Sequence, residues 1–266
     1  MTSSTPTVST PAARLPLFYR NPVALSSATH ADWRLEAGDA SFAAEASHIP
    51  VLISEIVSAA RSYPLVFAAD DTQPVALLGL EARNLFVEAG RWSAGNYVTA
   101  YVRRYPFGII ATVNPEGYAL AIDAASDRIA SEAQSGTPLF ENGEPSDLTR
   151  QALEFCKAFQ SDIAATRAFA DALAGQDLLI DRRADATLAD GRTMGLDGFR
   201  IVDAEKFAAL PDAVVLEWHR KGWLALIHFH LASLDRFTVL LELQAALFAS
   251  ESAAEDTASV PELANS

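Results

Sequence analysis

Phe107-Gly108-Ile109-Ile110-Ala111-Thr112-Val113-Asn114-Pro115-Glu116-Gly117-Tyr118-Ala119-Leu120-Ala121-Ile122 is the stretch that decides the fold. Two apolar runs flank Asn114-Pro115-Glu116-Gly117, whose Pro and Gly supply the backbone angles of a tight turn. The pattern predicts an antiparallel hairpin. A second hairpin is expected upstream, where Leu65-Val66-Phe67 and Val75-Ala76-Leu77-Leu78 flank the polar Asp70-Asp71-Thr72-Gln73-Pro74. Leu85-Phe86-Val87 and residues 97–102 continue the series of short β-type runs. The middle third of the chain therefore reads as an antiparallel sheet whose aromatic residues serve core and cross-strand packing.

Helical periodicity lies on both sides of this sheet. Ile49, Leu52, Ile53, Ile56, Val57 and Ala60 recur at three- and four-residue spacing after Ser47, with Pro50 in the first turn; Pro64 stops that helix near Tyr63. The longest predicted helix starts at Pro145-Ser146-Asp147 and stops at Gly175, with Leu148, Ala152, Phe155, Phe159, Phe169 and Leu173 on one face. Past it come the apolar runs Leu178-Leu179-Ile180 and Phe199-Arg200-Ile201-Val202, among turns at Asp190-Gly191 and Asp197-Gly198. Asp203 and Asp212 cap short helices, residues 223–231 read as a buried strand, and a last amphipathic helix begins at Ser233. Strands gathered before residue 125 and helices after 146 predict the α+β class, a mostly antiparallel sheet packed by one long and several shorter helices. Residues 22–42 read as extended and turn-rich. The expected organisation is one domain over 14–248, between a disordered arm at 1–13 and an acidic disordered tail at 249–266, both too poor in apolar surface to offset ordering entropy.

With 266 residues, 50% of them hydrophobic, the chain can build a core without metal or disulfide staples. Its one cysteine, Cys156, excludes an internal disulfide and a Cys-based structural zinc site, and its place beside the Phe-rich helix face makes it a small hydrophobe. The net charge, 20 − 34 = −14, argues against nucleic-acid binding through a basic face. No Lys or Arg precedes Arg14 and no signal-type apolar core follows the start, so a cytoplasmic location is expected. No run reaches the roughly 18–20 apolar residues of a membrane span, so no transmembrane segment is expected.

Two constellations bear chemistry. Arg103-Arg104 beside Tyr101, Tyr105 and Phe107 is the densest cation–aromatic group in an acidic chain. On a strand the two arginines face opposite sides, and one of them could clamp a carboxylate or phosphate. Glu55, among Leu52, Ile53, Ile56 and Val57, is placed to face inward as an anion. His30, Glu55, Tyr101, Arg103, Arg104, Tyr105 and His230 are the candidate binding residues. Separately, His228-Phe229-His230 on a strand would put both imidazoles on one face, about 6.5–7 Å apart. With His30-Ala31-Asp32 they make a metal set of His30, Asp32 and His228 or His230, of the two-histidine, one-carboxylate kind used by non-haem iron enzymes. No Gly-X-Ser-X-Gly and no phosphate loop occurs.

Several segments resemble proteins of the SapC family of bacteria: Thr29-His30-Ala31-Asp32-Trp33-Arg34-Leu35, Tyr63-Pro64-Leu65-Val66-Phe67, Ala76-Leu77-Leu78-Gly79-Leu80, Asn84-Leu85-Phe86-Val87, Tyr101-Val102-Arg103-Arg104-Tyr105-Pro106-Phe107, Pro138-Leu139-Phe140 and His230-Leu231-Ala232-Ser233-Leu234. They occur in order from about residue 15 to residue 247. The resemblance implies a surface-layer-associated accessory protein and carries no catalytic residue to any position. The leading expectation is a cytoplasmic accessory protein that binds a protein partner or a small anionic ligand, not nucleic acid, without turnover and with no evident cofactor. The alternative is a metal-dependent enzyme, of the 2-oxoglutarate iron type, in which the His/Asp set holds the metal and Arg103 or Arg104 holds the substrate.

Overall fold

Both predicted hairpins form, and each becomes the kernel of its own sheet. The computed structural model describes residues 15–113, 116–131, 135–187 and 192–258. Its principal strands are β1 (Pro22–Ala24), β2 (His48–Pro50), β3 (Leu65–Ala68), β4 (Pro74–Leu77), β5 (Phe107–Val113), β6 (Glu116–Asp123), β7 (Leu179–Thr187) and β8 (Thr193–Val202). The helices are α1 (Ser27–His30), α2 (Ile56–Ala59), α3 (Ala100–Arg103), α4 (Asp147–Gly175), α5 (Ala204–Ala208), α6 (Asp212–Arg220), α7 (Trp223–Ser233) and α8 (Arg236–Ala258). The architecture is α+β.

β5 and β6 pair antiparallel with Phe107 opposite Ile122, and β1 joins the far side of β6 to complete a three-stranded sheet. The centre of their turn, Asn114-Pro115, lies outside the described residues. β3 and β4 sit within a five-stranded antiparallel sheet ordered β7-β8-β3-β4-β2. A smaller core of Phe107, Leu120, Ile122, Leu139 and Cys156 packs on the first sheet. A larger one, containing Tyr63, Phe67, Leu78, Phe169, Leu173 and Ile227, packs on the second. α4 begins as predicted, with the Ser146 hydroxyl accepting from Thr149 N. It gives Cys156 to the small core and Phe159, Phe169 and Leu173 to the large one. One rod of roughly 40 Å thus ties the two sheets together.

Several expectations are corrected. Residues 48–50 are an edge strand rather than a first helical turn: His48, Ile49 and Pro50 pair with Leu77, Ala76 and Val75. A proline is tolerated there because β2 ends the sheet. Helix resumes only at Ile56, after a 3-10 turn over Ile53–Glu55. Residues 97–102 are not a strand: 97–99 are irregular and 100–102 belong to α3. Residues 223–231 are helical: a continuous apolar run carries no period, and its length sides with helix. Asp197-Gly198 lies inside β8, at a register shift against β7 where Gly198 takes φ +76°. Asp190-Gly191 and the 1–13 arm fall outside the described residues. The tail expected from residue 249 is helical through Ala258 as the end of α8. Trp223–Ser252, across α7 and most of α8, is long and apolar enough to cross a membrane by length and composition, with a minor share buried.

α7 is fastened to the five-stranded sheet by polar groups. His230, 2% exposed, accepts from Val202 N through Nε2 at 3.1 Å and packs its ring edge-on to Phe67. Ser233 Oγ accepts from Leu65 N at 3.0 Å. Burial lowers the His230 pKa to about 4, partly opposed by a hydrogen bond to the Leu65 backbone. The unfolded chain therefore takes up this proton near pH 6.5 and the folded chain only near 4, so stability is complete above that window and falls as the pH drops through it. Urea denaturation should show a loss of roughly 3 kcal/mol from this group between pH 6.5 and 4. His230→Gln should flatten the upper part of that decline; an unchanged slope would show that His230 does not carry it.

Candidate functional site

α3 and its flanks, residues 97–105, distribute their side chains over three environments. The first is built on Glu55, a carboxylate only 4% exposed. Its Oε1 accepts from Ala100 N at 2.6 Å and from the Tyr97 hydroxyl at 2.9 Å, and its Oε2 accepts from Leu52 N at 3.2 Å. An anion set against the first amide of a helical turn and tied back to Leu52 fixes where α3 begins. Arg103 closes this group from the solvent side: its Nη2 lies 3.6 Å from Glu55 and donates to the Tyr97 hydroxyl at 3.2 Å. Burial first, and Glu55 second, push the Tyr97 phenol above its ordinary pKa. Around them lies a small cavity of about 200 Å³, whose far wall is Phe155, Phe159 and Asp162 of α4. Ser54 donates to Asp162 across it.

The second environment holds Arg104. Its guanidinium carbon stands 4.2 Å from the Tyr101 ring centre, 4.3 Å from Phe159 and 5.4 Å from Tyr19. Among the described residues its buried Nε has no acceptor, so ring faces are the main neighbours of this cation. Burial raises the Tyr19 and Tyr101 phenols and takes the Cys156 thiol to about 11, with Arg104 opposing all three. A thiol so buried and so weakly acidic is a packing group.

The third environment is a cavity of about 760 Å³ walled by residues 17–20, 37–39, 41–42, 44–46, Tyr105 and residues 126–128. Its N-terminal wall is held by Asp123, fully buried, which accepts from Asn21 N at 2.7 Å, Arg20 N at 3.2 Å and the Tyr105 hydroxyl at 3.0 Å. Tyr19 donates to Phe107 O, and Tyr101 to Leu17 O at 3.2 Å. Phe18, between these anchors, takes φ +77° and packs against Phe42, Tyr101 and Tyr105. A left-handed backbone at an aromatic residue costs on the order of 1–2 kcal/mol. Arg128 lies across Gly38, where an added Cβ would meet the Arg128 side chain at 2.4 Å.

Of the expected site residues, the structure brings together Glu55 with Arg103, and Tyr101 with Arg104, while Tyr105 lines the large cavity. The two arginines diverge from a helical turn rather than from opposite faces of a strand. His30 stands elsewhere, accepting from Ser26 N and packed on Trp33. His230 is enclosed under the five-stranded sheet, and His228 is turned to Phe207. On a helix, residues two apart project about 200° from each other, so the two imidazoles do not share a face. Among the described residues no three His, Cys, Asp or Glu gather to hold a metal ion, so His30, Asp32, His228 and His230 do not form the expected set. Asp123, Phe18, Phe42 and Arg128 were not legible as site residues. Their roles come from long-range contacts and from a backbone angle that no local pattern marks.

The fold and its cavities define an α+β protein in which one long helix carries two sheets and a walled cavity. A protein-family model described as SapC matches residues 25–240, and the chain belongs to the SapC family. No curated protein and no solved structure matches it.

Glu55 and Arg103 should differ sharply on mutation, although they face each other. Glu55→Ala strands two buried donors and a part-buried one, and should lower the unfolding free energy by about 3 kcal/mol. Arg103, 47% exposed, should cost under about 1 kcal/mol as Arg103→Ala. Chemical denaturation of the two variants checks the order, and equal losses would contradict it.

Proposed function

We propose that this protein is an accessory protein that works by binding a small organic ligand in the 760 Å³ cavity, without turnover of its own. The observation that carries the reading is the way the cavity wall is made: a strained Phe18, clasped by buried hydrogen bonds on both flanks, faces a space of the size that small-molecule sites occupy. Strain at an aromatic residue persists where the surroundings over-determine it, and such places are commonly ligand sites. Groups suited to acid–base or nucleophilic chemistry are committed elsewhere. Glu55 caps α3, His230 fastens α7, and the Cys156 thiol is buried and protonated. On this reading the protein works in the cytoplasm.

Ala37 lines the cavity from an exposed position, so Ala37→Trp would obstruct it without disturbing a core residue. Wild-type protein isolated gently from its native host should release a small molecule on organic extraction, and Ala37→Trp protein should not. The released compound should be recovered unchanged after prolonged incubation with fresh protein. Equal recovery from both proteins, or conversion of the compound, would overturn the reading.

A further inference from the structure

Four arginines stand in or near the cavity region, and their partners differ. Arg103 is paired with Glu55. Arg104 is enclosed by the rings of Tyr101 and Phe159. Arg20 pairs with Asp127 at 3.3 Å and also donates to Ala125 O. Arg128 has neither a carboxylate nor a ring cage. Its Nε donates to Glu36 O at 3.4 Å and its Nη1 to Tyr105 O at 3.3 Å, both long contacts to neutral carbonyls. A guanidinium has five N–H donors. Two are used, and the other three have no protein acceptor among the described residues.

Arg128 is also half-buried, which raises the cost of a charge with no carboxylate within ion-pair distance. Burial lowers its pKa, with only partial relief from Tyr105 and Asp39. The acidic groups of the same wall are turned to other donors: Asp39 accepts from Ser41 N at 2.9 Å and Asp127 holds Arg20, while Glu45 is exposed. Gly38 completes the arrangement, because only a residue without Cβ leaves the Arg128 stem its present path. The same cavity is lined by apolar faces: Phe42 and Tyr105 stack at 4.3 Å and Phe18 meets Phe42 edge-on at 5.1 Å.

We propose that the ligand of this cavity is a small organic anion, its charged group received by Arg128 and its apolar body laid against Phe18, Phe42 and Tyr105. The assignment rests on the reading of this cavity as a ligand site. It moves anion recognition away from the Arg103-Arg104 pair, whose charges the fold already uses. A guanidinium fork with free donors suits the planar, two-oxygen edge of a carboxylate, sulfonate or phosphate.

The test uses two fluorescent probes of similar body and different charge, anilinonaphthalene sulfonate and the uncharged N-phenyl-1-naphthylamine, titrated into the full chain. Both should bind, and Ala37→Trp should abolish both signals. Arg128→Met, which keeps the stem, should weaken the sulfonate by at least about tenfold and leave the neutral probe within about twofold. Gly38→Ala keeps the charge but displaces it, and should weaken the sulfonate in the same direction. Retained binding of the neutral probe shows that Arg128→Met and Gly38→Ala are folded, and an unchanged urea unfolding midpoint shows the same for Ala37→Trp. If Ala37→Trp blocks both probes but Arg128→Met and Gly38→Ala change neither, the anion assignment fails and the cavity reading stands. If neither probe binds, or Ala37→Trp leaves their binding intact, the cavity reading fails and the assignment with it.

Discussion

α4 is the constraint on which the rest of the structure depends. Its 29 residues pass from the three-stranded sheet to the five-stranded one, so the same rigid element belongs to both cores. The passage sets the distance between the sheets and leaves α3 to be accommodated against its middle. There Phe155, Phe159 and Asp162 meet Glu55, Tyr97 and Arg103. The contact is reinforced where Thr166 Oγ1 accepts from Ile53 N at 2.9 Å, just before Glu55. The position of α3 follows from that of α4, and the cavity walls follow from α3 through Tyr101 and Tyr105.

The acidic chain has few cations near this region and gives each a different task. Arg103 screens a buried carboxylate from the solvent side, where a partly exposed pair contributes little stability but keeps Glu55 from being left wholly without a counter-charge. Arg104 replaces carboxylate partners with ring faces. Arg128 is held in place by Gly38 and two carbonyls. Buried carboxylates do the complementary work: Glu55 sets the start of α3, and Asp123 ties residues 20–21 to Tyr105. These are polar anchors inside apolar surroundings, where each hydrogen bond is costly to lose.

The elements with local signals were legible. The β3–β4 and β5–β6 hairpins and the Ser146 cap of α4 follow from turn residues, alternation and a helical stripe that neighbours in sequence create by themselves. The seven segments that resemble the SapC family also sit where the family match falls, between residues 25 and 240. The failures have separate causes. β2 was hidden because its pairing with β4 overrides a helical spacing, α7 because a run apolar but for His228, His230 and Ser233 has no clear period, and α3 because the group that starts it, Glu55, is 45 residues away in the chain.

The sequence by itself determined the α+β class, the long helix, the two hairpins, the acidity and the family, because these depend on contacts between residues close in the chain or on composition alone. Tertiary structure decided which arginine is committed and which is open. That choice is made by partners drawn from distant segments: Glu55 for Arg103, Phe159 for Arg104, Gly38 and Glu36 for Arg128. It also decided that His228 and His230 do not share a face and that Phe18 bends into a left-handed backbone at a cavity wall. A guanidinium reads the same in any sequence; what it can bind depends on the neighbours that folding places around it.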